Sequence, residues 1–174
     1  MREIVESIQG EYRRYKKLAD RAIQQLRDED LSVVGPGEAN SVAIVVWHIS
    51  GNLKSRFTDF LTSDGEKPWR HRDEEFDSRH VTSAELTNKW NDGWDVLFRT
   101  LESLTDDDLH RIVTIRGEQC KVMEALHRSV THTAYHVGQI VHIAKTLRSS
   151  DWKALTIPRG KSQEYNANPK GQRP

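Results

Sequence analysis

The chain contains few of the residues that build disulfide-linked or membrane-spanning proteins. Its 174 residues include one cysteine, Cys120, so an intrachain disulfide is excluded and nothing points to an oxidising compartment. The longest apolar run, residues 42–47, is far too short to cross a bilayer. Acidic residues occur near the N-terminus, where a signal peptide would have its apolar segment. We therefore expect a cytoplasmic protein without a membrane partner.

The chain also lacks an excess of charge of either sign. Lys plus Arg (26) equals Asp plus Glu (26), which argues against the basic surface typical of nucleic-acid-binding proteins. Apolar residues make up only 36% of the chain and charged residues 30%. Amphipathic helices with solvated outer faces produce this balance. The length suits one domain over residues 1–174.

Four stretches repeat apolar residues at helical spacing. They predict helices over 3–27, 41–62, 82–104 and 121–147. The Gly-Pro-Gly sequence at 35–37 separates the first two, and Thr82 with Glu85 forms a capping box at the start of the third. Four long helices with one long crossover predict an all-α four-helix bundle.

Three connecting segments differ from the helices in composition. Residues 66–80, between the second and third helices, are dense in charge and are interpreted as a solvated crossover loop. Residues 112–120 favour a small β-hairpin or extended segment before the fourth helix. From about residue 151 the chain is rich in Pro, Gly and charge, which predicts an irregular tail.

Two histidines on the fourth predicted helix are candidate metal ligands. His132 and His136 are four residues apart, so they project from one face of the helix at the edge of its apolar stripe. His48 lies at the border of the apolar stripe of the second helix and completes a three-imidazole site if the two helices are neighbours. Such a site leaves coordination positions open, whereas a structural site would normally have a fourth ligand. The alternatives are that the pair consists of ordinary polar residues on the flank of the helix and that His48 is a partly buried histidine bonded to a backbone carbonyl.

Two amides follow these histidines along their helices. Asn52 is one turn after His48, and Gln139 is three residues after His136. Both face the same region, where they are candidate outer-shell partners that orient the imidazoles. They are equally compatible with solvated positions on the flank of each helix.

The segment 47–52 (WHISGN) together with 132–140 (HTAYHVGQI) resembles the DinB/YfiT-like superfamily. The resemblance extends over nearly the whole chain, including 114–118 before the last helix. It implies a four-helix bundle with a long crossover between its second and third helices. Segments 56–62 and 157–160 are similar to a branch of that superfamily whose function is uncharacterised.

The resemblance implies one divalent metal ion bound by His48, His132 and His136, with zinc or nickel expected because imidazole suits both. It also implies a homodimer and a small-molecule substrate, since the superfamily includes transferases and isomerases that use low-molecular-weight thiols. The first hypothesis is an enzyme that activates a thiol for transfer to an electrophile. A metal-assisted hydrolase and a non-enzymatic metal-binding or stress-response protein remain alternatives.

No side chain is identified as a catalytic group beyond the metal site. The chain has no Gly-x-Ser-x-Gly elbow, phosphate loop or dinucleotide fingerprint, and Cys120 is interpreted as structural. In the tail, Arg159 and Lys161 are candidate contacts for an anionic ligand, provided that the preceding apolar residues Trp152, Leu155 and Ile157 dock on the bundle. The alternative is a frayed chain end.

Overall fold

Within residues 1–37 and 39–168, which the computed structural model describes, the chain forms six α-helices and a small two-stranded sheet. The helices are α1 Glu3–Ile23, α2 Asp28–Leu31, α3 Val42–Phe57, α4 Ser83–Ser103, α5 Val122–Arg148 and α6 Ser162–Ala167. The strands are β1 Ile112–Ile115 and β2 Glu118–Lys121. The predicted all-α class is confirmed. Residues 169–174 of the predicted tail lie outside the described residues.

The four long helices pack as a bundle in two main pairs. α3 packs along α4 and α1 along α5, while α3 also contacts α5. At the centre, the ring of Tyr12 from α1 meets Phe57 of α3 and Trp94 of α4 edge-on, with centroid distances of 6.5 and 6.2 Å. The contact between α3 and α5 places the second and fourth predicted helices side by side, as the three-histidine prediction requires.

The pairing of α3 with α4 depends on a glycine. A Cβ atom added to Gly93 of α4 would lie 2.7 Å from the Cα atom of Ser50 on α3. Only a residue without a side chain allows the two backbones to approach this closely. Gly93 and Ser50 are both buried.

α3 ends five residues earlier than predicted. Thr58 is extended and Asp59 has a φ of +49°, so the chain turns away after Phe57. Phe60 nevertheless remains buried and packs on Phe57 with ring centroids 5.1 Å apart. The apolar spacing therefore continues through a turn, which is why the sequence predicted a helix to residue 62. At its other end, Ser41 caps the helix by accepting the Ile44 N–H at 3.2 Å.

The first helix ends four residues earlier than predicted. α1 stops at Ile23, where the N–H groups of Gln25 and Leu26 bond to carbonyls three residues back and tighten the last turn. The short α2 then follows because Leu31 is fully buried in the core. The capping box of Thr82 and Glu85 at the start of α4 is confirmed.

The crossover was interpreted as a solvated loop, and this interpretation is wrong within residues 67–76. Lys67 and Glu75 are buried, and the side chain of Arg70 is only 2% exposed. A short 3-10 turn, Asp73–Phe76, packs against α3. Charge composition predicted solvation here, but Arg70 and Glu75 are paired inside the protein, and Lys67 donates to the Ser63 hydroxyl and the Asp64 carbonyl.

The predicted hairpin is confirmed and is fixed to the crossover. β1 and β2 are antiparallel, and the turn residues Arg116 and Gly117 have φ values of +56° and +79°. The Asp64 carboxylate accepts both of their backbone N–H groups at 2.8 Å. These bonds hold the turn against the start of the crossover.

The tail returns to the bundle through its first residues. The carbonyl of Leu155, which is buried, accepts a hydrogen bond from Arg21 of α1 at 2.6 Å. Trp152 is half-buried, whereas Ile157 is 39% exposed. Docking is therefore seen for two of the three predicted anchors.

No helix in the described part of the chain is long and apolar enough to span a membrane.

Candidate metal centre

Three imidazoles meet between α3 and α5. The Nε2 atom of His132 lies 3.2 Å from Nε2 of His48 and 3.2 Å from Nε2 of His136. His48 and His136 are buried, and His132 is half-buried. Among the described residues, these three form the group of His, Cys, Asp or Glu side chains that can hold a metal ion.

The spacing of the three Nε2 atoms suits a first-row metal ion. Zinc–nitrogen bonds of about 2.0–2.1 Å in tetrahedral geometry place two ligand nitrogens about 3.3 Å apart. The two observed separations of 3.2 Å are close to this value. All three ligand atoms lie within 4.8 Å of one another, so the site can hold a small divalent ion.

Two of the imidazoles, those of His132 and His136, are held in their neutral, ligating form. Burial, together with repulsion from His136 and His48, lowers the pKa of His132 to about 3. Burial also lowers the pKa of His136, although its hydrogen bond to Gln139 opposes this. At neutral pH these two rings therefore carry no proton that a metal ion must displace.

The other ring nitrogens of two histidines contact hydrogen-bond acceptors. Nδ1 of His136 lies 2.8 Å from Oε1 of Gln139, and Nδ1 of His48 lies 2.9 Å from Oε2 of Glu75. When each Nδ1 donates its proton, the tautomer is fixed and the lone pair of Nε2 points into the site. Gln139 donates in turn to the Tyr135 hydroxyl at 3.2 Å.

Glu75 is the site residue that the sequence analysis missed. It belongs to the crossover, and its buried carboxylate is paired with Arg70 through two bonds of 2.8 and 2.9 Å. Burial raises the pKa of Glu75, but Arg70 and His48 outweigh it and hold the pKa below its usual value. A charged carboxylate thus reaches His48 from 27 positions away in the chain.

A glycine on α3 makes room for this carboxylate. A Cβ atom added to Gly51 would lie 2.0 Å from Oε1 of Glu75. Such a distance is far below van der Waals contact, so any side chain at position 51 would displace Glu75. Gly51 was the one sequence feature that could have indicated a close approach over this turn of α3.

The three histidines line a cavity of about 390 Å³. Asn52, the second predicted outer-shell residue, lines the same cavity, as do Phe60 and Phe76. Phe76 stacks at a tilt on His48, with centroids 4.8 Å apart. The cavity is thus large enough for a small molecule beside the imidazoles.

A family model described as "Protein of unknown function (DUF1572)" matches residues 1–161. The chain belongs to the DUF1572 family. No curated protein and no solved structure matches the chain. The family description carries no activity, so the geometry of the site provides the functional evidence.

Other predicted residues of this DUF1572 protein lie outside the cavity. Arg159 is exposed, and Lys161 bonds to Glu164 at 2.8 Å in a separate groove. The structure therefore does not bring these two tail residues to the histidines. Cys120 is half-buried on β2, and burial raises the pKa of its thiol, which keeps it protonated at neutral pH.

Proposed function

We propose that this DUF1572 protein is a divalent-metal-dependent enzyme with His48, His132 and His136 as the metal ligands and zinc or nickel as the metal. The observation that carries the proposal is the convergence of three imidazoles, with Nε2 of His132 at 3.2 Å from Nε2 of both His48 and His136. Neutral imidazoles suit both metals. Three protein ligands leave open positions for a substrate, as catalytic sites require.

We further propose that the chain is a member of the DinB/YfiT-like superfamily. The four-helix bundle, the crossover between α3 and α4, and one histidine on α3 with a pair on α5 all support this membership. The small hairpin before α5 corresponds to a segment that also carries the sequence resemblance. The homodimer that the resemblance implies stays a prediction.

The reaction that we propose is transfer of a low-molecular-weight thiol to an electrophile. When bound, a divalent ion lowers the pKa of a thiol or water molecule that joins it. In the transfer, the thiol sulfur forms a bond to the electrophilic carbon, the thiol proton passes to solvent, and the leaving group departs with its electron pair.

The composition of the cavity favours thiol transfer over hydrolysis. No carboxylate or cysteine lines the cavity within the described residues, so a separate side-chain base for water is not evident. A free thiol ionises at a pKa of about 8.5 and needs less help than water to become a nucleophile. The roles of Glu75 and Gln139 are to hold the imidazoles in the ligating tautomer, and Asn52 is a candidate contact for the bound substrate.

A turnover panel tests this function. Protein of measured metal content is assayed with several thiols and an aryl halide, and separately with esters and amides. Wild type and the control His142→Ala, which changes an exposed histidine of α5, should conjugate the thiol. The His132→Ala variant should not.

Each other result of this panel contradicts thiol transfer. Ester or amide cleavage without conjugation would identify a metal-assisted hydrolase. Stoichiometric metal without turnover of any substrate would favour a metal-binding protein that is not an enzyme.

A further inference from the structure

The cavity beside the histidines is strongly basic. Five arginines line it, and within residues 1–37 and 39–168 no carboxylate does. They are Arg56, Arg70, Arg72, Arg116 and Arg128. The whole chain has no net charge, so this concentration of one sign is a local property of the cavity.

Two of these arginines share a single carboxylate. Arg56 Nη1 lies 3.4 Å from Oε2 of Glu66, and Arg116 donates to the same oxygen through Nε at 2.8 Å. The bond from Arg116 uses Nε, so its terminal amino groups remain for another acceptor. Arg70, by contrast, donates two bonds, from Nε and Nη2, to the buried carboxylate of Glu75, which neutralises its charge.

Arg128 has no carboxylate partner among residues 1–37 and 39–168. It forms none of the ion pairs found in the described part of the chain. It precedes His132 by four residues on α5, so it lies on the same face of the helix one turn away. After all pairs are formed, the cavity wall therefore retains a surplus of positive charge next to the metal centre.

We propose that the cavity binds its small-molecule ligand through an oxyanion group, a carboxylate or a phosphate, held by Arg128 and Arg116. Guanidinium groups bind both oxyanions through paired, charge-assisted hydrogen bonds. The two arginines come from α5 and from the hairpin turn, so the oxyanion is held between these elements. Arg56, from α3, adds positive charge behind them.

This proposal gives the proposed enzyme a substrate class, namely molecules that carry an oxyanion. It rests on the proposed function for the chemistry at the other end of the ligand. The oxyanion fixes one end of the molecule while its other end reaches the three histidines. This arrangement would place a thiol or an electrophile at the metal centre at a fixed distance from a negative charge. Arg56 and Arg116 are positioned by Glu66 of the crossover.

Calorimetric titration of the full-length protein tests this site. The probes are inorganic phosphate, succinate and succinamide, the last being a neutral molecule of the same size as succinate. Protein is titrated as purified and again after metal removal on a chelating resin. We expect phosphate or succinate to bind in both preparations and succinamide to bind in neither, and comparison of the two anions identifies the preferred oxyanion.

Variants then assign the binding to the cavity. Loss of a charge-assisted contact should weaken anion binding by about tenfold or more in Arg128→Gln and Arg116→Gln. The matched control is Arg99→Gln, an exposed arginine of α4 outside the cavity, which should bind as wild type does. Metal content should be equal in all three variants.

The opposite results overturn the proposal. Absence of binding by both anions, equal binding of succinamide, or equal affinity in Arg128→Gln and Arg99→Gln would each contradict an oxyanion site. Metal binding without anion binding would refute this inference alone. Anion binding in a protein that takes up no metal would refute the proposed function and leave the oxyanion site intact.

Discussion

Nδ1 of His48 lies 2.9 Å from Oε2 of Glu75, although the two residues belong to α3 and to the crossover. The carboxylate is itself held by Arg70, so an ion pair in the crossover fixes the orientation of a ring in the bundle. A carboxylate that accepts the Nδ1 proton makes Nε2 a better ligand. The crossover therefore takes part in the site and does not only connect two helices.

Replacement of Glu75 should weaken metal binding. Glu75→Gln keeps an acceptor for His48 but removes the negative charge, and we expect metal affinity to fall by about 10- to 100-fold. Competition with a chromophoric chelator measures this affinity. The control is Glu74→Gln, which changes an exposed neighbour and should bind as wild type does; equal affinity in the two variants would contradict the role of Glu75.

A methyl group at position 51 of α3 should also weaken metal binding, because it would displace the Glu75 carboxylate. In Gly51→Ala the new Cβ atom would meet Oε1 of Glu75 at 2.0 Å, so the carboxylate must leave His48. We expect weaker metal binding and a loss of about 1–3 kcal/mol in the free energy of unfolding. Chelator competition and urea denaturation measure the two effects.

Gly138→Ala is the control for this helix substitution. A Cβ atom at position 138 of α5 meets nothing within 4 Å, so metal binding should be unchanged and stability should rise by about 0.5–1 kcal/mol. Wild-type metal affinity in Gly51→Ala would show that Glu75 does not support the site.

The close approach of α3 and α4 predicts a purely structural effect. In Gly93→Ala the new Cβ atom would lie 2.7 Å from the Cα atom of Ser50, and a backbone atom cannot move aside without shifting its helix. We expect a loss of about 1–3 kcal/mol or more in the free energy of unfolding, measured in urea. Gly10→Ala on α1, where nothing lies within 4 Å, should lose no stability; equal midpoints in the two variants would contradict the packing of α3 on α4.

The metal-free protein should lose stability as the pH falls from 7 to 5. The pKa of His132 is about 3 in the folded protein and near 6.5 in the unfolded chain, so the unfolded state binds more protons between these values. Stability from this group is therefore complete above pH 6.5 and decreases below it. Thermal unfolding at pH 7 and pH 5 should show a smaller decrease for His132→Gln than for wild type.

The control for this pH effect is the exposed His142 on the same helix. His142→Gln should show the same loss of stability between pH 7 and pH 5 as wild type does. Identical pH dependence in wild type and His132→Gln would contradict the burial of a neutral imidazole at position 132.

The sequence was sufficient to predict pairs of side chains that lie on the same helix. The spacing of His132 and His136 and the capping box of Thr82 follow from helical geometry alone. His48 required the further prediction that α3 and α5 are neighbours, which their contact confirms. Helical periodicity and the family resemblance thus predicted the three histidines.

The sequence could not predict the parts that depend on how the crossover folds back. Glu75 lies in a run of charged residues, and only its pairing with Arg70 and the space over Gly51 distinguish it from its exposed neighbours. The end of α3 at Phe57 was hidden because Phe60 remains buried after the turn. Tertiary contacts determine both the position of Glu75 and the end of α3, and local sequence patterns do not predict such contacts.

Elemental analysis of the purified protein is the decisive measurement for the metal centre. Wild type and His142→Ala should each contain one zinc or nickel ion per chain after gel filtration. His48→Ala, His132→Ala and His136→Ala should each contain almost none while keeping a helical circular dichroism spectrum, because the bundle core supplies most of the stability. Equal metal content in wild type and in the three ligand variants would contradict a metal centre at these histidines.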